Sequence, residues 1–198
     1  MPELPEVETI CAALRPALTG KRILSAHVRC GNLRKPLDAE QLRKHVRNTR
    51  ISGVRRRGKY IVVALEHDRG LLFHLGMTGS FRVVSGDIPF AKHEHVDWDL
   101  DDGHSWRFRD PRRFGLILPC HCPVGSSDPA ALLGLGPEPL DETFNGDYLH
   151  HVSRGRQCPI KNLLLDQRAV AGLGNIYASE ALFRAGISPR RQAGNCGR

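Results

Sequence analysis

The sequence lacks the features of a membrane-spanning protein, of a secreted protein and of a protein stabilised by a structural metal. No run approaches the ~18 uninterrupted apolar residues of a membrane span, and the two Pro and three Glu among the first ten residues do not fit a secretory signal. The six cysteines include no C-x-x-C pair, and Cys120-His121-Cys122 is spaced too tightly for a common zinc site. We therefore predict a soluble, cytoplasmic protein with reduced thiols, no metal site and no contact with a membrane.

Aromatic residues are scarce at 6%, whereas the apolar share of 40% and the charged share of 25% are close to globular averages. The 198 residues suit one domain or two small ones. The net charge is +8, and the segment from Gln41 to Leu65 holds eight basic residues and no acidic one. This segment is either a solvated basic face or a track for a polyanion such as a nucleic acid.

The pattern of apolar residues predicts an α+β fold. A helix over 5–17 is followed, from Ile23 to about Leu118, by short strands that one helix over 38–48 interrupts. This arrangement is typical of an antiparallel β-sandwich flanked by helices. Helices over 160–170 and from an Asn175 cap to Gly186, joined by a glycine turn, resemble a helix-turn-helix unit. The predicted divisions are 1–118, a linker over 119–140, and a partial helical domain over 141–198.

Six segments resemble, in order, the motifs of the bacterial formamidopyrimidine-DNA glycosylase family. They are MPELPEVET (1–9), RGKY (57–60), HLGMTGS (74–80), DPRRFG (110–115), LGPEPL (135–140) and GLGNIYASE (172–180). The resemblance spans residues 2 to about 189. It implies a base-excision-repair DNA glycosylase with AP lyase activity, which removes oxidised purines such as formamidopyrimidine and 8-oxoguanine from duplex DNA. It also implies a helix-two-turn-helix domain for the helical part.

The resemblance assigns catalytic roles to Pro2, Glu3 and Lys59. After removal of the initiator Met, the secondary amine of Pro2 is the nucleophile that forms a Schiff base with the deoxyribose. An α-amino group has a pKa of ~7.7–8.0, against ~10.4 for a lysine, so an appreciable fraction is neutral near pH 7. Glu3 is the acid–base group, and Lys59, expected to project from the mouth of a strand, contacts phosphate beside the lesion.

The resemblance also assigns the DNA-binding residues. Met77, Arg112 and Phe114 correspond to the residues that fill the void left by the extruded nucleotide, a task suited to two apolar wedges and one hydrogen-bonding cation. Asn175 corresponds to a phosphate-binding position, which suits a helix N-terminus. His74 is a further candidate for phosphate contact, and Arg113 for structural pairing.

The sequence departs from the family pattern after Ser188-Pro189. The C-terminal zinc finger with its four Cys ligands has no counterpart, so we expect a truncated chain with neither zinc nor another cofactor. The alternative function is a catalytically inactive remnant that binds DNA weakly, and unspecific phosphate or RNA binding is a third interpretation. We expect damaged double-stranded DNA as the partner, a nucleoid-associated location, and a monomer that can self-associate through the uncovered apolar face of its last helices.

Overall fold

A computed structural model describes residues 2–123 and 128–196 of the chain. Their contacts divide them into two compact units. One unit contains the residues up to Arg56 together with Tyr60–Ala131, and the other contains Arg57–Lys59 together with the residues from Leu132 onward. A short segment, Arg57–Lys59, therefore belongs by contact to the second unit although it lies between two strands of the first.

The helices and strands are largely segregated along the chain, as expected for an α+β protein. In order they are α1 (Leu4–Leu18), β1 (Arg22–Val28), α2 (Ala39–Val46), β2 (Thr49–Arg57), β3 (Tyr60–Leu65), β4 (Arg69–His74), β5 (Ser80–Ser85), β6 (Glu94–Leu100), β7 (His104–Arg109), β8 (Leu116–His121), α3 (Gly146–Ser153), α4 (Ile160–Leu165) and α5 (Asn175–Arg184). Short 3-10 turns cover Ala130–Leu132 and Ala193–Asn195.

The first unit is an antiparallel β-sandwich, as the sequence predicts. Its eight strands form one sheet in the order β5-β7-β6-β1-β2-β3-β4-β8. The ring of Phe73 on β4 lies edge-on to Trp98 on β6 and Trp106 on β7, with ring centroids 5.7 and 5.3 Å apart. Because three strands separate β4 from β6 in the sheet, this contact requires the sheet to fold over on itself. The aromatic cluster lies between the two halves.

Helix α1 packs its apolar stripe into this core. Val7, Cys11, Leu14 and Leu18 recur at helical spacing and are buried. Across the polar side of the helix, the Arg15 side chain donates to the backbone oxygen of Val54 at 3.0 Å. The residues that start α1 are therefore held against the sandwich.

The second unit is helical and has a separate core, which includes Ile160, Leu163 and Leu182. Helix α5 ends in a Schellman motif: Gly186 adopts a φ of 64°, its N–H donates to Phe183, and the N–H of Ile187 donates to Leu182. No helix among residues 2–123 and 128–196 is long and apolar enough to cross a membrane.

Several predicted boundaries are wrong, and two elements were missed. Strand β2 was missed because it falls in the basic segment. Its arginines obscure the alternation of polar and apolar residues that usually indicates a half-buried strand. Helix α3 was also not predicted. Helix α4 ends at Leu165 rather than at Val170, because Asp166 leaves the helical conformation with a ψ of 108°. Strand β8 continues to His121, beyond the predicted end at Leu118.

Candidate functional site

Pro2 and Glu3 directly precede the first turn of α1. Glu3 is the N-cap of the helix, and its side chain is almost entirely buried, with 3% of the residue exposed. Glu3 and Glu6 form a capping box in which the Glu3 N–H donates to Glu6 Oε2 at 2.9 Å. The positive end of the helix favours a carboxylate here. Pro2, which is partly exposed, is thus attached to a backbone whose direction is fixed.

Lys59 lies in the two-residue turn between β2 and β3 and is 7% exposed. The expectation that it projects from the mouth of a strand is therefore wrong, because the turn carries the lysine into a buried position. Gly58 makes the turn possible: it adopts a φ of 57°, in the left-handed region that glycine occupies without strain.

The two loops that carry the predicted void-filling residues are tied together by Asp110. This residue is fully buried. Its carboxylate accepts the Thr78 hydroxyl at 2.5 Å and the N–H of Gly115 at 2.7 Å, and its backbone oxygen lies 2.8 Å from His95 Nε2. Gly76 has a φ of 62°, and a Cβ there would lie 2.5 Å from the Phe114 carbonyl carbon. The loops therefore pack backbone against backbone.

Met77, Arg112 and Phe114 project from this platform. Met77 is 44% exposed and Phe114 is 47% exposed, and Arg112 is also exposed. The Arg112 guanidinium carbon lies 4.7 Å from the centroid of the Phe114 ring, a cation–π distance. Apolar side chains that are exposed next to one another often mark an interaction site. The geometry suits insertion into a stack of planar groups.

His74 is held in one orientation beneath these loops. Its Nδ1 accepts the N–H of Gly76 at 2.9 Å, and its ring meets Tyr60 edge-on with centroids 5.0 Å apart. Since Nδ1 is an acceptor, the neutral ring carries its proton on Nε2. His74 is only 8% exposed, and its contact with phosphate stays a prediction.

His93 was missed by the sequence analysis. It adopts a φ of 70°, uncommon for a non-glycine residue. Desolvation, followed by the charges of Lys92 and Arg109, lowers the pKa of His93, so the ring is mostly neutral at pH 7. Arg113 belongs to the same basic cluster, and its guanidinium contacts the Cys30 sulfur at 3.9 Å. The available signal was a histidine on each side of Glu94, directly before a strand.

The basic segment has less positive charge available for a ligand than its composition suggests. Most of its arginines on β2 form ion pairs with distant acids: Arg55 with Asp128 at 2.8 Å, Arg56 with Glu8 at 3.0 Å, and Arg57 with Glu138 at 3.0 Å. By contrast, Lys92, Arg109, Arg112 and Arg113 form no ion pair with a carboxylate of the described residues. The loops of Met77 and Phe114 are therefore surrounded by cations that no carboxylate of the described residues neutralises.

In the second unit, Asn175 is the first residue of α5 and is exposed. The prediction that it caps the helix is wrong, because Gly174 occupies the cap position. The Gln167 amide fixes the preceding turn: it donates to the oxygens of Leu165 and Leu173 at 3.1 and 2.8 Å, and accepts the Gly172 N–H at 2.9 Å. Asn175 is thus presented from a defined turn.

One cluster of the described residues has metal-ligand chemistry. His27, Asp97 and Asp99 each place one ligand atom within 4.8 Å of the others. Arg29 pairs with Asp97 at 2.9 Å and His27 with Asp99 at 2.9 Å. These contacts between neighbouring strands already occupy both carboxylates.

The fold and the placement of these residues define a class of protein in which a β-sandwich domain with an N-terminal helix is joined to a helix-two-turn-helix domain. Family comparison identifies both parts. Residues 1–117 match the formamidopyrimidine-DNA glycosylase N-terminal domain, and residues 135–197 match the formamidopyrimidine-DNA glycosylase H2TH domain. The chain belongs to the formamidopyrimidine-DNA glycosylase family.

Individual relatives agree with this assignment. The chain is 50% identical to the formamidopyrimidine-DNA glycosylase of Stenotrophomonas maltophilia (strain K279a) over all 198 of its residues, which cover 72% of that protein. It is 48% identical to the enzyme of Magnetococcus marinus, with 100% of this chain and 71% of that protein covered.

Two solved structures are also similar. A structure of MutM in complex with DNA that contains carbocyclic 8-oxo-G has a TM-score of 0.87 and 32% identity, covering 100% of this chain and 73% of that one. The complex between Lactococcus lactis Fpg and DNA containing an abasic site has a TM-score of 0.86 and 31% identity, covering 99% and 71%.

Proposed function

We propose that this chain is a DNA glycosylase and AP lyase that removes oxidised purines from double-stranded DNA. The observation that carries the proposal is the start of α1, where the buried N-cap residue Glu3 directly follows Pro2. A terminal secondary amine beside a buried carboxylate is a nucleophile next to an acid–base group. The relatives are named as formamidopyrimidine-DNA glycosylases, and the similar solved structures contain DNA with 8-oxo-G or an abasic site.

In the proposed reaction, the Pro2 nitrogen attacks C1′ of the damaged nucleotide. The bond from C1′ to the base breaks, and its electron pair leaves with the base, which takes up a proton. The nitrogen, having lost its own proton, then expels O4′, which Glu3 protonates, and an iminium remains. Loss of a C2′ proton and cleavage of the C3′–O3′ bond break the strand, and water hydrolyses the iminium to restore Pro2. No cofactor enters these steps.

We propose DNA-binding roles for the remaining residues. Met77, Arg112 and Phe114 fill the gap left by the extruded nucleotide, because their exposed side chains stand together on a rigid platform. His74 and Asn175 hold phosphates, and Lys59, which is needed for catalysis, contacts the phosphate beside the lesion. We further propose that residues 1–118 carry the chemistry and 141–198 clamp DNA. Self-association through α5, where Phe183 is 85% exposed, stays a prediction, and we propose a monomer acting on cytoplasmic, nucleoid DNA.

The proposal is tested by trapping the iminium with borohydride. Protein shown by mass spectrometry to have lost Met1 is mixed with duplex DNA containing 8-oxoguanine or an abasic site. We expect a covalent complex with each DNA and a cross-linked peptide that contains Pro2. Pro2→Gly is expected to reduce trapping sharply and to leave unspecific DNA binding near its original level.

A matched control is the same chain with a short N-terminal fusion, in which the Pro2 nitrogen is an amide and cannot act as a nucleophile. It is expected to bind DNA and to give no complex. Absence of trapping from folded, Met-processed protein on both DNAs would leave the inactive DNA-binding remnant as the better description. Equal loss of trapping and binding in Pro2→Gly would show that Pro2 has been given the wrong role.

A further inference from the structure

The turn that carries Lys59 belongs by contact to the second unit of the chain. Arg57–Lys59 groups by contact with the residues from Leu132 onward, whereas both flanking strands belong mainly to the sandwich. A two-residue turn has few side chains with which to fix itself. Its position therefore depends on the groups that bond to it from elsewhere.

Glu138 supplies the bonds that hold this turn. One oxygen, Oε1, accepts the backbone N–H of Gly58 at 2.6 Å and the Arg57 guanidinium at 3.0 Å. Only 17% of the Arg57 side chain and 12% of the Glu138 side chain are exposed. Bonds to a charged acceptor are the stronger kind of hydrogen bond, and at this burial they are weakly screened.

The same segment closes around the turn from other directions. The Arg57 guanidinium also donates to the backbone oxygens of Leu135 and Gly136 at 3.2 and 2.7 Å. A Cβ on Gly58 would lie 3.4 Å from the Ala171 Cβ and 3.4 Å from the Gly172 nitrogen. The backbone of the turn is therefore in contact with the start of the glycine turn that precedes Asn175.

We propose that Glu138 is a positioning residue for Lys59: its carboxylate fixes the Arg57–Lys59 turn and thereby sets where the lysine ammonium lies. The inference rests on the proposed function, because it concerns a residue of that reaction. It predicts that Glu138 affects the rate of the chemical steps and leaves DNA affinity nearly unchanged. A displacement of about 1 Å at a catalytic group can reduce a rate ~100-fold.

The test compares Glu138→Ala, which removes both bonds, with Glu138→Gln, which retains one oxygen acceptor. Under single-turnover conditions on duplex DNA with 8-oxoguanine, we expect Glu138→Ala to lower the excision rate by ~10- to 100-fold, with Glu138→Gln in between. The dissociation constant for the DNA should change by no more than about 3-fold, because the lysine is shifted rather than removed and the proposed phosphate contacts of His74 and Asn175 stay in place. Glu142→Gln, an exposed acid on the same segment, is the control and should match the unmodified chain.

A double-mutant cycle with Lys59→Ala separates positioning from general damage. If Glu138 acts through the lysine, Glu138→Ala should have little further effect once Lys59 is absent, whereas damage to the fold would multiply with the loss of Lys59. Hydrogen exchange supplies a readout that does not depend on activity. The amides of Gly58 to Tyr60 should exchange faster in Glu138→Ala, with β4 unchanged.

The outcomes are distinguishable. If the unmodified chain and Glu142→Gln are both inactive, the proposed function fails, and hydrogen exchange still decides whether Glu138 holds the turn. If the unmodified chain is active, three results would each overturn the positioning role. Glu138→Ala could excise the base at the unmodified rate, or its amide exchange at Gly58 could be unchanged. In the double-mutant cycle, the fold-reductions in rate caused by the two substitutions could simply multiply. Should Glu138→Ala fail to fold, Glu138→Gln takes its place in the cycle and the exchange measurement.

Discussion

Replacement of Asp110 by Asn should loosen the platform that presents Met77 and Phe114. The carboxylate is fully buried and each oxygen accepts one short hydrogen bond, from Thr78 and from Gly115. An amide has only one oxygen. If that oxygen keeps the Gly115 N–H, its NH₂ group faces a Thr78 hydroxyl that already accepts the N–H of Arg112 at 3.2 Å.

The expected loss follows from these contacts. One charge-assisted bond becomes a weaker neutral one and the other is impaired, at about 1.5–3 kcal/mol for a bond to a charged group. We therefore expect Asp110→Asn to lower the free energy of unfolding of the sandwich by about 2–3 kcal/mol. Thr78→Val removes one of the same bonds and the acceptor of the Arg112 N–H, and should cost about 1.5–3 kcal/mol. In the double variant the losses should fall short of their sum by at least about 0.5 kcal/mol, because the two residues share a bond.

Urea denaturation followed by tryptophan fluorescence is the suitable assay. The chain has two tryptophans, Trp98 and Trp106, and both are fully buried in the sandwich, so the signal reports this unit alone. Asp87→Asn changes an exposed carboxylate of the same unit, which accepts the hydroxyl of nearby Ser85, and should shift the midpoint much less than Asp110→Asn does. An Asp110→Asn midpoint equal to that of the unmodified chain, or strictly additive losses in the double variant, would refute the tie between the loops.

Two further predictions concern exposed and buried groups. Met77→Ala should slow excision of an intact damaged base more than strand cleavage at a preformed abasic site, because only the intact base must be unstacked; parallel single-turnover assays on the two DNAs check this, and equal slowing would contradict a wedge. Burial raises the pKa of Cys11 to about 12 and that of Cys120 to about 11, so at pH 8 both thiols stay protonated and should resist brief alkylation of the native protein while reacting after denaturation, as mapped by mass spectrometry. Rapid native labelling at buried Cys11 or at partly buried Cys120 would contradict the raised pKa values.

The elements that sequence reasoning located are those whose pattern is complete within a few residues. Helix α1 shows a full apolar stripe, and the continuous apolar run Tyr60–Leu65 indicates a buried strand. The sequence of β2 does not by itself indicate a strand. Ile51 and Val54 supply its buried side chains, and the acids that neutralise its arginines come from segments up to 81 residues away. Such long-range pairing leaves no trace in a local window.

The sequence motifs predicted where the candidate site lies. They did not predict the hydrogen bonds and backbone conformations that hold it together. Motifs marked the loops of Met77 and Phe114, yet nothing in HLGMTGS or DPRRFG indicates that Asp110 bonds to Thr78 across 32 residues. Backbone conformation was equally hidden, since His93 adopts a positive φ without a neighbouring glycine to signal it.

The ion pairs of the β2 arginines distinguish two electrostatic roles that cannot be told apart from composition: holding the fold together and binding phosphate. Arg55, Arg56 and Arg57 each reach an acid on a different part of the chain, and partly buried pairs of this kind are screened little by salt. The unpaired cations around Phe114 lie at the surface, where contacts with phosphate weaken steeply as salt rises. Higher ionic strength should therefore weaken DNA binding before it disturbs the turn of Lys59. A chain saturated with DNA at moderate salt should keep its single-turnover rate, because the residues that set that rate are held by the buried pairs.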